Sequence, residues 1–399
     1  MTRLPRLAAP LSRRAVLRAA LHGGAGVWVA RLLPGLGASM ARAADRPPLN
    51  PPDANGVRLP PGYTSRIVAR AGQTPLPGGT YPWHASPDGG ATFRTPDGGW
   101  IYVSNSELLN GRGGVGALRF DPAGTLVDAY PICSGTTLNC AGGATPWGTW
   151  LTCEEFPRGQ VWECDPTGKT PPVPRPALGV FTHEAVAVDL AARRLYLTED
   201  WPTGRFYRFT AAHAATHGRL DLTAGVLEVA QVDGDLEGPV RWLPVPDAAA
   251  RRAPTAEQVP TSTAFPGSEG IAIGGDTAYF TTKYSNRVWA YDTRRQTLRI
   301  LYDDDAFSAP TLTGVDNVVI SPAGDVLVAE DGGDMQIVGI TPQGEIYPLL
   351  QVADHLGSEI AGPAFDPSGT RLYFSSQRGP DGAYAGGVTY EVSGPFNRG

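Results

Sequence analysis

The chain has 399 residues, of which 42% are hydrophobic and 18% are charged, and this apolar share is sufficient for a sizeable core. Seven arginines and no acids lie in residues 1–44. Without that segment, 26 basic residues face 39 acidic ones, a net charge of −13. A chain this acidic is a poor partner for nucleic acid or anionic lipid and is suited to concentrating cations.

The N-terminal segment has the features of an export signal. Residues 12–17 read Ser-Arg-Arg-Ala-Val-Leu, a weakly apolar stretch follows, and residues 41–44 supply small residues for cleavage. These features predict a twin-arginine signal peptide over residues 1–44, passage through the twin-arginine translocon, and a periplasmic or extracellular location. No later segment has the roughly 18 apolar residues that a membrane span needs.

The remainder of the chain has a repeating strand pattern. Residues 45–61 are rich in Pro and are predicted to form a linker or strap, followed by a single domain over residues 62–399. Within it, pairs of apolar strands joined by short turns recur, and the units beginning near Glu269 and Asp316 follow the period of about 45 residues of a four-stranded propeller blade. We therefore predict an all-β fold, a six-bladed β-propeller with an insertion near residues 211–264.

Acidic residues recur at the ends of the predicted strands. The innermost strand of each propeller blade lines the central channel, so such acids converge if the chain closes into a ring. One acid at a strand end is usually a solvated turn residue, but a cluster of carboxylates persists only if some groups stay protonated or cations such as Ca²⁺ or iron join them. The predicted metal ligands of this kind are Glu107, Glu184, Asp200, Glu269, Asp316, Glu330 and Asp331.

The four cysteines allow more than one interpretation. Cys153 and Cys164 could face each other across a hairpin and form a disulfide in an oxidising compartment, and Cys133 is a further possible partner. Cys140 precedes a Gly-rich turn beside acidic residues. Its thiolate is a candidate iron ligand, and the alternatives are a disulfide partner or a small buried residue.

Residues for direct catalysis are weakly indicated. Lys283 and Arg378 lie near predicted strand ends and are candidates for contact with an anionic substrate, although a surface role is the simpler interpretation. The sequence has no His pair at zinc-like spacing, no Gly-x-Ser-x-Gly elbow and no phosphate-binding loop of the Walker type.

Five segments resemble signatures of the exported PhoX-type alkaline phosphatases. They are 139–155 (Asn-Cys-Ala-Gly-Gly-Ala-Thr-Pro-Trp-Gly-Thr-Trp-Leu-Thr-Cys-Glu-Glu), 181–188, 268–271, 315–318 and 362–369. The resemblance extends from about residue 60 to residue 387. It implies a six-bladed propeller, exported by the twin-arginine route, that hydrolyses phosphomonoesters with a mixed iron–calcium cluster.

The resemblance also assigns site residues. It implies that Cys140 is the iron thiolate and that the carboxylates of the cluster are Glu107, Glu184, Glu269, Asp316 and one acid of the Glu330–Asp331 pair. Two positions depart from the family pattern. The early Asn-His-Glu motif is Asn105-Ser106-Glu107 here, and Gly267 stands where the phosphatases carry an Arg that grips phosphate.

These observations predict a metal-dependent periplasmic hydrolase, specifically a phosphomonoesterase that uses iron and calcium and acts as a monomer on a small-molecule phosphomonoester. Two alternatives stay open at this point. One is a lactonase-like propeller hydrolase that uses calcium alone, and the other is a non-catalytic calcium-binding scaffold.

Overall fold

The structure is a computed structural model that describes residues 46–213 and 216–397. The predicted signal peptide, residues 1–44, lies outside the described residues. Strands account for 47% of the described residues and helices for 3%, so the predicted all-β class is confirmed. The helical residues of the described chain form short 3₁₀ turns at Pro176–Leu178, Thr255–Glu257 and Asp304–Ala306. No helix in the described part of the chain has the length and apolarity needed to cross a bilayer.

The strands follow one another along the whole described chain. The first ten are β1 (Val57–Arg58), β2 (Thr64–Arg70), β3 (Pro87–Arg94), β4 (Trp100–Ser106), β5 (Gly113–Phe120), β6 (Leu126–Thr136), β7 (Asn139–Ala144), β8 (Trp150–Glu154), β9 (Val161–Cys164) and β10 (Val173–Pro174). The next nine are β11 (His183–Asp189), β12 (Arg194–Glu199), β13 (Phe206–Ala211), β14 (Gly225–Val232), β15 (Gly238–Pro244), β16 (Ser268–Gly274), β17 (Thr277–Thr282), β18 (Arg287–Asp292) and β19 (Thr297–Asp303). The last seven are β20 (Val315–Ile320), β21 (Val326–Glu330), β22 (Gln336–Ile340), β23 (Ile346–Val352), β24 (Ile360–Phe365), β25 (Arg371–Ser376) and β26 (Val388–Ser393).

These strands form antiparallel sheets from consecutive segments. β3–β6 and β7–β10 each form a four-stranded sheet, and β20–β23 form another that β1 extends at its outer edge. β24–β26 are completed by β2, which pairs with β26. β11–β15 and β16–β19 belong to one nine-stranded sheet, in which β15 and β19 are joined by two residue pairs only.

The first strands of these units meet around an axis. β3 contacts β7, β7 contacts β11, β11 contacts β16, β16 contacts β20, β20 contacts β24, and β24 contacts β3. This closed ring of inner strands is the arrangement of a β-propeller. A narrow cavity along the axis is lined by residues of all six strands, including Gly89, Ala141, Ala185, Gly270, Asn317 and Gly362.

Packing between neighbouring strand units stabilises the ring. Phe206 of β13 stacks on Phe280 of β17 with ring centroids 4.4 Å apart, and Tyr102 of β4 stacks on Tyr373 of β25 at 5.0 Å. All four rings are buried, and such aromatic pairs add about 1 kcal/mol each beyond the area they bury. Close approach near the axis requires glycine, because a Cβ at Gly143 would lie only 1.8 Å from the carbonyl oxygen of Val186.

Candidate metal centre

Each inner strand carries a β-bulge near its N-terminal end, and the bulges define the site. The pairing register shifts after Pro87, Asn139, His183, Ser268, Val315 and Ala361. A bulge inserts one residue and re-aims its side chain. The residues that follow these shifts are Asp88, Cys140, Glu184, Glu269, Asp316 and Gly362, so five of the six inner strands place a potential metal ligand at the same structural position.

A second set of residues comes directly after the second strand of a unit. In several units the backbone N–H of this residue bonds to a carbonyl just before the first strand, as in Glu107 to Ser86 (3.0 Å), Glu155 to Leu138 (2.8 Å) and Asp331 to Gly314 (2.7 Å). These bonds hold the second set beside the bulges. Its members are Glu107, Glu155, Asp200, Lys283 and Asp331.

The two sets combine into groups of ligand atoms. In each group, one atom from every residue lies within 4.8 Å of the others. The groups at the inner strands are Cys140, Glu155 and Glu184; Glu184, Glu269 and Asp316; and Asp88, Glu107 and Glu359. Glu184 is shared by the first two groups, so the structure brings together five predicted ligands: Glu107, Cys140, Glu184, Glu269 and Asp316.

Glu184 is the most exceptional carboxylate of the site. It is fully buried, and neither of its oxygens has a hydrogen-bond partner among the described residues. Burial raises the pKa of Glu184, and the carboxylates of Glu155, Asp316 and Asp88 raise it further. An ionised group in this position is very costly unless a cation joins it.

Burial also raises the pKa values of Cys140 and Asp316, two other members of these groups. Burial raises the pKa of the Cys140 thiol, with Asp88 and Glu184 adding to the effect. Burial also raises the pKa of Asp316 to about 7, although the Lys283 ammonium opposes the shift. The raised pKa values of these two groups extend their protonated forms to higher pH in metal-free protein, and a bound cation would replace those protons.

Two basic side chains are positioned among the acids. The Lys283 ammonium forms ion pairs with Glu269 and with Asp200, the latter at 3.1 Å. The Arg378 guanidinium donates a 2.7 Å hydrogen bond to Glu359. Both predicted basic residues thus lie at the site, and both are only about a quarter exposed, at 28% and 26%.

Gln377 and Asp331 complete the side of the site around Glu359. The Gln377 amide donates to Asp88 (2.5 Å) and to Glu107 (2.9 Å) and so links these two carboxylates. Asp331 forms a backbone β-bridge with Glu359. Burial raises the pKa of Glu359, and the charge of Asp331 is the next cause.

Asn105 fixes the strand segment that carries Cys140. Its amide nitrogen donates to the carbonyl oxygens of Cys140 and Ala141, both at 2.8 Å. Its amide oxygen accepts bonds from Trp150 and Thr152, both at 2.9 Å. The Asn105-Ser106-Glu107 motif therefore has a clear structural use here without the His of the family pattern.

Glu330 does not join the groups. One of its oxygens accepts the backbone N–H of Thr313 (2.7 Å) and the other that of Gln336 (2.9 Å), so its carboxylate holds a loop. Of the Glu330–Asp331 pair, only Asp331 belongs to the second set of residues beside the bulges, and neither acid is in one of the three ligand groups. Asp200 reaches the site through its ion pair with Lys283.

The proposed facing of Cys153 and Cys164 is wrong. Cys153 pairs in register with Val161, and Cys164 pairs with Trp150, so the two lie at different levels of the hairpin. Cys164 instead shares a buried apolar cluster with Cys133 of β6. All four cysteines are free thiols in the structure.

Three acids of the site were not among the predicted ligands: Asp88, Glu155 and Glu359. Asp88 precedes Gly89 and Gly90, which hide the strand pattern, yet it occupies the same bulge position as Glu184. Glu155 follows Glu154 after β8 just as Asp331 follows Glu330 after β21. Structural equivalence between units is the signal that would have found both.

The donor set fits hard cations together with iron. It combines one thiol, several carboxylates and two orphaned buried oxygens, and Ca²⁺ takes six to eight oxygen ligands whereas thiolates suit iron. The fold and the site define a β-propeller with an acidic centre at the ends of its inner strands.

Comparison with known proteins identifies the family. A family model described as alkaline phosphatase PhoX matches residues 119–161, 157–296 and 274–380, and the chain belongs to this family. The fold is similar to that of Pseudomonas fluorescens PhoX in complex with vanadate, with a TM-score of 0.74 and 18% identity over 88% of this chain and 98% of that one. Membership supports a phosphatase-like hydrolase.

Two further solved structures are less similar. A gluconolactonase from Xanthomonas campestris, XC5397, is similar over 89% of this chain and 97% of that one, with a TM-score of 0.45 and 12% identity. A streptogramin B lyase is similar over 83% of this chain and 98% of that one, with a TM-score of 0.46 and 13% identity. No curated protein sequence matches the chain.

Proposed function

We propose that this chain is a metal-dependent phosphomonoesterase that binds iron and calcium at the ends of its inner strands. The observation that carries the proposal is the buried carboxylate of Glu184. Neither of its oxygens has a hydrogen-bond partner among the described residues, and Glu184 belongs to two ligand groups at once. A carboxylate in this setting is expected to bind a cation on each side. Family membership favours a phosphoester over a lactone as the substrate.

The proposed ligands divide by chemistry. Cys140, Glu155 and Glu184 would hold iron, because this group contains the only thiol among the clustered ligands. Glu269 and Asp316, and separately the group of Asp88, Glu107 and Glu359, would hold calcium with carboxylate oxygens. Bound cations at these places would act as Lewis acids toward a phosphoryl oxygen and activate a water nucleophile.

The chain's own basic groups would bind the anionic substrate. Gly267 lacks the phosphate-gripping side chain that the family resemblance predicts, so another residue must supply that contact. Arg378 has a partly exposed guanidinium whose fork matches the geometry of a phosphoryl group, and its bond to Glu359 fixes its orientation. Arg378 is therefore the proposed substrate-orienting residue.

Three further properties belong to the same proposal. Six blades are supported by the six contacting inner strands, if the nine-stranded sheet is counted as two blades joined by the short β15–β19 bridge. Export through the twin-arginine translocon to the periplasm or beyond is supported by residues 1–44 alone. Action as a monomer is an expectation from the sequence.

The test is a phosphatase assay joined to elemental analysis. The protein purified from the periplasm is expected to hydrolyse p-nitrophenyl phosphate and to contain both iron and calcium. Cys140→Ala should lose its iron and at least about 100-fold in kcat/KM, because a direct ligand is removed. Cys133→Ala, which removes a buried thiol outside the ligand groups, is the matched control and should retain both.

Two results would contradict the proposal. Metal-loaded protein without phosphomonoesterase activity would exclude the proposed reaction. Calcium without iron, together with hydrolysis of a lactone, would favour the lactonase-like alternative, and calcium with neither activity would favour a scaffold.

A further inference from the structure

The use of lysine in this chain is unusual. Of 33 basic residues only two are lysines, Lys169 and Lys283, and the rest are arginines. Lys169 is exposed on a turn, whereas Lys283 lies among the acids of the metal centre. A lysine ammonium is a compact point charge with three donors, and among side chains it is the nearest equivalent of a metal cation, whereas the arginine guanidinium is a broad planar fork.

Lys283 occupies a position that carries an acid in other units. The residue after the second strand is Glu107, Glu155, Asp200 or Asp331 in four units, and it is Lys283 after β17. Its ammonium lies between Asp200 at 3.1 Å and Glu269, whose side chains are only 10% and 2% exposed. This one unit therefore exchanges a carboxylate for a positive charge that bridges two carboxylates.

Gly267 makes room for this arrangement. Its φ of +63° lies in the left-handed region, and a Cβ there would lie 3.0 Å from Cγ of Lys283 and 3.1 Å from Cγ of Tyr284. A larger side chain at position 267 would be strained and would displace the lysine stem. The absence of a side chain at Gly267 and the placement of the Lys283 stem are thus two parts of one local arrangement.

We propose that the Lys283 ammonium takes the place of one metal ion, bridging Asp200 and Glu269 as a cation that is part of the chain. The proposal rests on the proposed metal centre and deepens it. If so, the Asp200 side of the site carries a fixed positive charge. The Glu184 side depends on cations from solution, because the Glu184 oxygens have no hydrogen-bond partner among the described residues.

The test is the number of divalent ions per chain in Lys283→Met. This variant keeps an unbranched apolar stem and removes the charge, so Asp200 and Glu269 should take up about one additional calcium ion per chain. Elemental analysis after exhaustive equilibration with calcium measures the gain, and calcium should raise the melting temperature of the variant more than that of the wild type. Lys169→Met is the matched control and should keep the wild-type number.

A second variant keeps the test decisive if Lys283→Met does not fold. Lys283→Glu installs the acid that four other units carry, and it should be recovered folded in calcium with at least one additional ion. Wild-type ion numbers in the folded variants, or failure of both variants to fold in calcium, would overturn the role of Lys283. A wild-type protein that binds no metal would instead overturn the proposed function itself.

Discussion

Adjacent acids in this chain have opposite environments. Three acids are the last residues of the second strands of their units, and we call them the loop-capping acids: Glu154, Glu199 and Glu330. The acids that follow them directly in the chain are called the ring acids: Glu155, Asp200 and Asp331. Glu154 accepts bonds from the Thr137 N–H (2.9 Å) and the Trp162 indole (3.0 Å). Glu199 accepts the Arg205 N–H (3.0 Å) and the Tyr207 hydroxyl (2.8 Å).

Among the described residues, Glu155, Asp200 and Asp331 accept no such bonds from donors of their own loops; Asp200 pairs with the Lys283 ammonium, and Glu155 faces like charges. Burial raises the pKa of Glu155, and the charges of Asp200 and Glu107 raise it further. Successive residues of a strand point to opposite faces, so one acid of each pair meets donors of its own loop and the next meets the centre. Within these adjacent pairs, hydrogen bonds from donors of the same loop, rather than acidity or burial, separate the loop-capping acids from the ring acids.

The sharpest test of this distinction is Glu155→Gln. The substitution keeps the size of the side chain and removes a ligand charge from the group of Cys140 and Glu184. Metal content should fall and kcat/KM for p-nitrophenyl phosphate should drop at least about 100-fold. The unfolding free energy of the metal-free variant should not decrease, because a repulsive buried charge has been removed. Wild-type activity in this variant would remove Glu155 from the ring acids.

The second prediction concerns pH in metal-free protein. Because the folded-state pKa of Asp316 is raised to about 7 from an ordinary value of 3.8, its stabilising contribution is complete below about pH 4 and lost as pH rises through about 7. Chelated protein should therefore melt at a lower temperature at pH 8.5 than at pH 5.5. Calcium should remove this difference, because the cation takes the place of the protons. A chelated protein more stable at pH 8.5 would contradict the raised pKa.

The smallest expected effect is that of Glu154→Gln, the matched control for Glu155→Gln. The variant should keep its metals and most of its activity. It should lose about 1–3 kcal/mol of unfolding free energy, because charged hydrogen bonds to Thr137 and Trp162 are weakened. Denaturant unfolding of the metal-loaded protein measures the loss. Loss of metal in Glu154→Gln would show that the two classes of acid are not separable.

The sequence predicts the all-β class and several of the acids that the structure brings together, for physical reasons. Glu184, Glu269 and Asp316 are each the second residue of an inner strand whose next residues are mostly apolar, so the strand pattern and the acid are both visible. Asp88 begins a strand whose next residues are glycines, needed because a Cβ at Gly89 would lie 2.5 Å from Ala141. The same close packing that brings the ligands together therefore conceals one of them.

The sequence could not show which acid side chains point toward the site. Glu330 and Asp331 are equally acidic neighbours, and the choice between them depends on the phase of the strand, which the bulge in β20 sets against β21. At Gly362 the sixth inner strand has a bulge without any side chain, and Glu359 supplies a carboxylate from just before the strand instead. Such irregularities follow from three-dimensional packing and leave no periodic signal.

The pairing of β2 with β26 has a consequence for biosynthesis. Thr64 lies opposite Ser393, so the circle is completed only when segments more than three hundred positions apart have met. Contacts this remote along the chain make assembly slow, since a very large loop must be ordered before its closing bonds form. A nascent chain from which Ser393 has not yet emerged cannot assemble this closure, so the ring closes only after all the other described strands have been synthesised.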